Sequence, residues 1–181
     1  VKEGIDIMPE MLSKAFRIAS VAHEGQIDKS NQPYILHPVR VALAVGESYE
    51  LKQAAVMHDV VEDTSITLDF LRKEGFSKKV VDAVDSVTRR IYPKEGVIFD
   101  RDNPDTYTKE DYMEFIGRVS KNRFGIIIKM KDIEDNVSVY RLEQLPNDII
   151  IRMLEKYQKA KLALWNEYCD ACYKVYGKVL P

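Results

Sequence analysis

The chain has 181 residues, 45% of them hydrophobic and 31% charged, with a net charge of −2. That is enough chain for one domain with a real core and too apolar for disorder, and the near-neutral balance gives no reason to expect a nucleic acid polymer as partner. No apolar run approaches the roughly 20 residues that span a bilayer, and the opening VKEGIDIMPE lacks the apolar segment of a signal peptide. The expected address is the cytoplasm, with no membrane partner. Any polyanionic ligand requires a local basic pocket, and nothing in the sequence fixes an oligomeric state. Two cysteines, Cys169 and Cys172, lie three apart, a spacing that suits one helix face rather than a disulfide or a zinc site.

From Pro9, apolar residues at 11, 12, 15, 16, 18, 19 and 22 follow helical spacing until Gly25. QIDKSNQPY (26–34) is a loop, and Pro38 suits the first position of a second helix that ends before Gly46. A third helix is expected over about Glu50 to Asp63. Thr67 can cap a fourth that Gly75 ends, and Ser77 a fifth through Val87. Residues 89–106 carry two prolines, a glycine and mixed charges, which predicts a loop or insertion rather than a domain. Helical spacing returns over Thr108–Ser120, where TKED resembles a capping box, then over Phe124–Tyr140. A long final helix follows Pro146 and runs to about Val175. No strand is convincing. The expectation is a single all-α domain over residues 1–181, a bundle of about seven or eight helices.

The chemistry concentrates in VMHDVVEDT (56–64), directly behind an apolar run. It is either a metal and acid/base site or the polar side of a helix. On a continuous helix, His58 and Glu62 are four apart, as are Asp59 and Asp63, so all four side chains share one side. A divalent ion would gather them and offset the cost of crowding carboxylates. Further ligands must come from elsewhere. His37 is held by the fixed backbone of Pro38, and Asp132 follows the apolar run Ile126–Ile128 and needs a partner. Asp135 is expected to face away and be solvated. Lys129, Arg89, Arg118 and Arg141 are candidate phosphate partners by charge alone.

The ordered set AHEGQ, KS, PYILHPVRVA, AAVMHDVVEDT, VTRR and IKMKDIEDN resembles the HD superfamily of metal-dependent phosphohydrolases. More narrowly it is similar to the hydrolase domain of the Rel/Spo alarmone enzymes and the small alarmone hydrolases, over about residues 11–165. The resemblance implies an HD-type helical bundle and one divalent metal held by His37, His58, Asp59 and Asp132. That nitrogen/oxygen set suits Mn²⁺, or Fe²⁺ or Mg²⁺, better than structural zinc. It implies Glu62 and Asp63 as the catalytic acids, and Lys29, Ser30 and Asn136 as substrate contacts. The implied activity is hydrolysis of the 3′-pyrophosphate of guanosine 3′,5′-bispyrophosphate-type alarmones. Alternatives are another phosphorylated nucleotide or a non-catalytic, metal-bound nucleotide-sensing module. His23 is unmatched and is expected to support the ligands or cap a helix. Asp28 departs from the family pattern, which often has a base-stacking arginine there, and so bears on base specificity.

Overall fold

The computed structural model describes residues 7–100 and 103–178. Its order is α1 (Ile7–Ala22), α2 (Leu36–Ala44), α3 (Tyr49–Val56), α4 (Val60–Asp63), α5 (Leu68–Lys73) and α6 (Lys78–Val87), then a hairpin of β1 (Ile91–Pro93) and β2 (Tyr107–Lys109). Four further helices follow: α7 (Tyr112–Val119), α8 (Arg123–Asn136), α9 (Val139–Leu142) and α10 (Asn147–Tyr176). The fold is the expected all-α bundle.

Two helices form its axis. The apolar run Leu51, Ala54–Met57 buries most of α3, which packs against α1, α2, α6 and α8. Ile126–Ile128, Met130 and Ile133 bury most of α8, which packs on α2, α6 and α10. Hydrophobic residues run nearly all round α8 because helices surround it. Its entry is fitted to Gly125: a Cβ there would fall on Ser86 Oγ and stand 3.2 Å from Ser86 Cβ, so any larger residue at 125 requires Ser86 or α6 to shift. The caps follow the sequence. Ser48, Thr67, Ser77 and Asn122 each accept an N–H from the first turn of their helix.

Three local expectations change. The third helix is not continuous, because the chain breaks at Met57–Asp59 between α3 and α4. There the imidazole Nδ1 of His58 approaches the Ala55 carbonyl to 2.8 Å and competes with the helical ladder for that acceptor. Residues 107–109 are a strand, with Ile91 opposite Lys109 and Pro93 opposite Tyr107, so α7 begins at Tyr112 under an Asp111 cap instead of at Thr108. The segment 89–106 is therefore partly a hairpin arm rather than all loop. The helix expected over Phe124–Tyr140 also divides, ending at Asn136 before a short α9.

Candidate functional site

The break after α3 turns His58 and Asp59 toward α8 and the start of α2. His37, buried in the first turn of α2, has its Nδ1 2.7 Å from Asp135 Oδ2. A carboxylate accepts, so His37 carries its proton on Nδ1 and presents a lone pair on Nε2. Similarly, the Ala55 carbonyl can only accept, so His58 also bears its proton on Nδ1.

Both Nε2 atoms then face carboxylates. His37 Nε2 lies 3.1 Å from Asp132 Oδ1 and 3.6 Å from Asp59 Oδ2. His58 Nε2 lies 2.9 Å from Asp59 Oδ2 and 3.8 Å from Asp132 Oδ1, is buried, and makes no hydrogen bond. Lone pairs aimed at carboxylate oxygens repel unless positive charge lies between them. Burial disfavours protonating either imidazole, but the acids around them outweigh it and raise both pKa values. Burial likewise opposes ionisation of Asp132 and Asp59. Lys129 with the imidazoles, and His58 with His37, nevertheless hold these two acids well below the usual range. The nest thus calls for a cation. His37, His58 and Asp132 offer ligand atoms within 4.8 Å of one another, and Asp59 closes the remaining side. The donor set fits a divalent metal ion.

Asp135 corrects the sequence expectation. Three residues turn a helix by about 300°, which is only 60° in the other sense, so Asp135 shares the face of Asp132. It is half-buried and accepts from His37, Arg40 (2.6 Å), Tyr140 (2.8 Å) and Arg141 (3.1 Å), fixing the tautomer and tilt of the His37 ring.

A cavity of about 420 Å³ opens beside the nest. Glu62 and Asp63 line it from α4. Glu62 accepts from the Arg89 amide (2.9 Å) and from Lys109 Nζ (3.3 Å). Asp63 faces Tyr34, whose hydroxyl lies 2.6 Å from Asp59 Oδ2 and 3.2 Å from Asp63 Oδ2. Burial, then the Asp59 and Glu62 charges, pushes the Asp63 carboxyl up to about 7. Tyr34 was missed at the sequence level, although its place three residues before His37 on the PYILHP segment was a signal. His23 is buried beneath it, with its ring centroid 4.8 Å from that of Tyr34 and Nδ1 2.8 Å from Gln26 Oε1.

The expected substrate contacts divide. Lys29 and Asn136 line the cavity, and Asn136 also donates to Asp132. Ser30 is buried and donates its hydroxyl to the Arg141 carbonyl at 2.9 Å, so it anchors the loop. Lys129, Arg89 and Arg141 line the cavity, whereas Arg118 does not. Arg118 instead reaches the carbonyls of Asp85, Ser86 and Thr88 at the end of α6 and pairs with Glu110 at 2.7 Å. Asp28 has a loop role: its carboxylate accepts the amides of Ser30 (2.8 Å) and Gln32 (3.0 Å). Lys109, Lys156, Tyr112 and Tyr157 also line the cavity, and none of them had been singled out in the sequence.

No protein-family profile matches the chain. It is 31% identical over 176 residues to the guanosine-3′,5′-bis(diphosphate) 3′-pyrophosphohydrolase of Aquifex aeolicus, covering 91% of this chain and 24% of that protein. It is 42% identical over 81 residues to the bifunctional (p)ppGpp synthase/hydrolase SpoT of Escherichia coli, covering 43% of this chain and 11% of that one. The chain thus spans a quarter or less of the length of these relatives. A solved structure described as a metazoan ortholog of SpoT that hydrolyses ppGpp superposes with a TM-score of 0.55 at 18% identity, over 92% of this chain and 96% of that one. By sequence over nearly its whole length, and by fold, the chain is an HD-type helical domain homologous to part of the Rel/Spo enzymes.

Proposed function

We propose that the protein is a metal-dependent pyrophosphohydrolase that removes the 3′-pyrophosphate of guanosine 3′,5′-bispyrophosphate-type alarmones. One observation carries this reading: two imidazole lone pairs and two carboxylates, Asp132 buried and Asp59 partly so, converge on one point, at the edge of a cavity that also holds the Glu62–Asp63 acid pair and several cations. His37, His58, Asp59 and Asp132 would hold the metal, with Mn²⁺ the preferred ion. When bound, it supplies Lewis acidity and neutralises phosphate charge.

The chain's own groups do the rest. Glu62 and Asp63, fixed from opposite sides by Lys109 with the Arg89 amide and by Tyr34, orient the attacking water and protonate the leaving oxygen. Lys129, at 2.6 Å from Asp132, keeps that carboxylate ionised. Lys29 and Asn136 contact the substrate. A panel of phosphorylated nucleotides incubated with Mn²⁺, with products separated by chromatography, tests the reading. Pyrophosphate release from the guanosine alarmone is expected, and release of orthophosphate or of nothing would overturn it.

A second reading, a nucleotide with another base, is favoured by Asp28, since no guanidinium at that position can stack on guanine. Its charge is nonetheless spent within the loop and against Arg141, 3.9 Å away. Repulsion of substrate phosphates by Asp28 is accordingly small, and the same panel with adenosine analogues separates the two readings.

A further inference from the structure

Six cationic side chains line the cavity beside the nest, and four are already engaged. Lys109 pairs with Glu62, Lys129 with Asp132 and Arg141 with Asp135, while Arg89 donates to the Glu110 carbonyl. The remaining two, Lys29 and Lys156, have no carboxylate partner among the described residues. They are also the two residues shared with an adjoining groove of about 250 Å³ lined by Ile149, Arg152 and Met153. Uncompensated positive charge thus lies where the cavity continues away from the nest.

Lys156 is held there by more than its own stem. Its Nζ stands 4.1 Å from the centroid of the Tyr112 ring and 5.0 Å from that of Tyr157, a cation between two aromatic faces from α7 and α10. A lysine seeking only solvent would not be drawn between two rings lining a pocket. Its ammonium is pushed down to about 8, by burial first and then by the Lys129 and Arg89 charges. An anion arriving there would relieve that charge crowding.

We propose that Lys156, clamped by Tyr112 and Tyr157 and assisted by Lys29, forms a second anion subsite that takes the 5′-phosphate chain of a nucleotide whose 3′-pyrophosphate lies at the imidazole–carboxylate nest. The subsite deepens the nucleotide reading above and rests on it. It gives the cavity a preference for substrates charged at both ends, because each end meets its own set of cations.

The test uses the Mn²⁺-loaded protein and guanosine 5′-diphosphate, which carries the 5′ chain and lacks the scissile group. Lys156→Met keeps the apolar stem between the rings and removes the charge. Calorimetry should show about tenfold weaker binding of the diphosphate or more, the scale of a lost charge-assisted hydrogen bond, and Lys156→Arg should restore part of it. Lys156→Gln serves as a second neutral variant, with thermal melts checking that each is folded. In turnover of the bispyrophosphate, the loss should fall on KM rather than kcat. Unchanged diphosphate binding in both neutral variants would overturn the subsite. So would a loss confined to kcat, which would put Lys156 at the reacting end. Lys156-dependent diphosphate binding without any turnover would instead leave the subsite standing and sink the hydrolase reading.

Discussion

At the residue scale, each of the two imidazoles is anchored through Nδ1 and turns Nε2 toward the nest, and this makes their roles separable from those of the acids. His58→Ala removes one of two nitrogens from the nest, so metal content by elemental analysis should fall sharply while the helices persist. Unchanged stoichiometry would mean that the cation sits elsewhere. Glu62→Gln and Asp63→Asn keep size and hydrogen bonding to Lys109 and Tyr34 but cannot transfer protons. Both should retain metal and lose turnover, by about 100-fold or more if acid/base catalysis is their contribution. Near-normal kcat in both variants would make them structural. Lys156 supplies the pH dependence. Its neighbours are Lys129 and Asp132 on α8, Arg89 before β1, Lys29 in the 26–34 loop and the two tyrosines. A bound anion raises its pKa above the free value of about 8, so affinity is fully present below that value and declines as pH rises through it. KM for the alarmone should therefore climb above about pH 8 in the wild type. In Lys156→Met, a profile still showing that rise would assign it to another group.

At the element scale, the helices were legible because apolar periodicity, serine and threonine caps and glycine stops all agree. The interruptions were not. Nothing in VMHDVVEDT is a glycine or proline, and the break at 57–59 exists because a buried imidazole takes a backbone carbonyl. Only the packed environment reveals that competition. The same break explains why the nest was readable when its geometry was not. The motif names the proposed ligands, but the continuous helix used to group them is broken between α3 and α4, and only Asp59 and Asp63 keep their four-apart relation, through the Asp63 amide and the Asp59 carbonyl at 2.9 Å. Lys156 was hidden for another reason. In EKYQKAK its lysine looks like any solvated helix residue, and only the docking of α7 brings Tyr112 over it. Close packing also yields a prediction. Gly125→Ala gains helix propensity but overlaps Ser86, which is itself bonded to the Ala83 carbonyl at 2.7 Å. Overpacking should win, with chemical denaturation showing a loss of about 1–3 kcal/mol. Adding Ser86→Ala should recover part of it, and a single variant as stable as wild type would show that α6 can simply shift.

At the scale of the whole molecule, the nest joins distant parts of the chain. His37 and Asp135, which touch through one hydrogen bond, are 98 residues apart in sequence. Closing a loop of that length costs on the order of 4 kcal/mol in chain entropy, so a free ion cannot draw the ligands together before α3 and α8 have packed. On an emerging polypeptide, His37, His58 and Asp59 appear long before Asp132 of α8, and a metal ion meeting them early lacks its fourth donor. On the proposed ligand set, ion capture is thus the last act of maturation, a seal on a finished scaffold rather than a nucleus for it. Stopped-flow refolding with and without Mn²⁺ should give the same folding rate, with the ion acting only by slowing unfolding. Faster refolding in its presence would mean that the two halves already meet in the transition state, and the domain would then depend on metal supply to form at all.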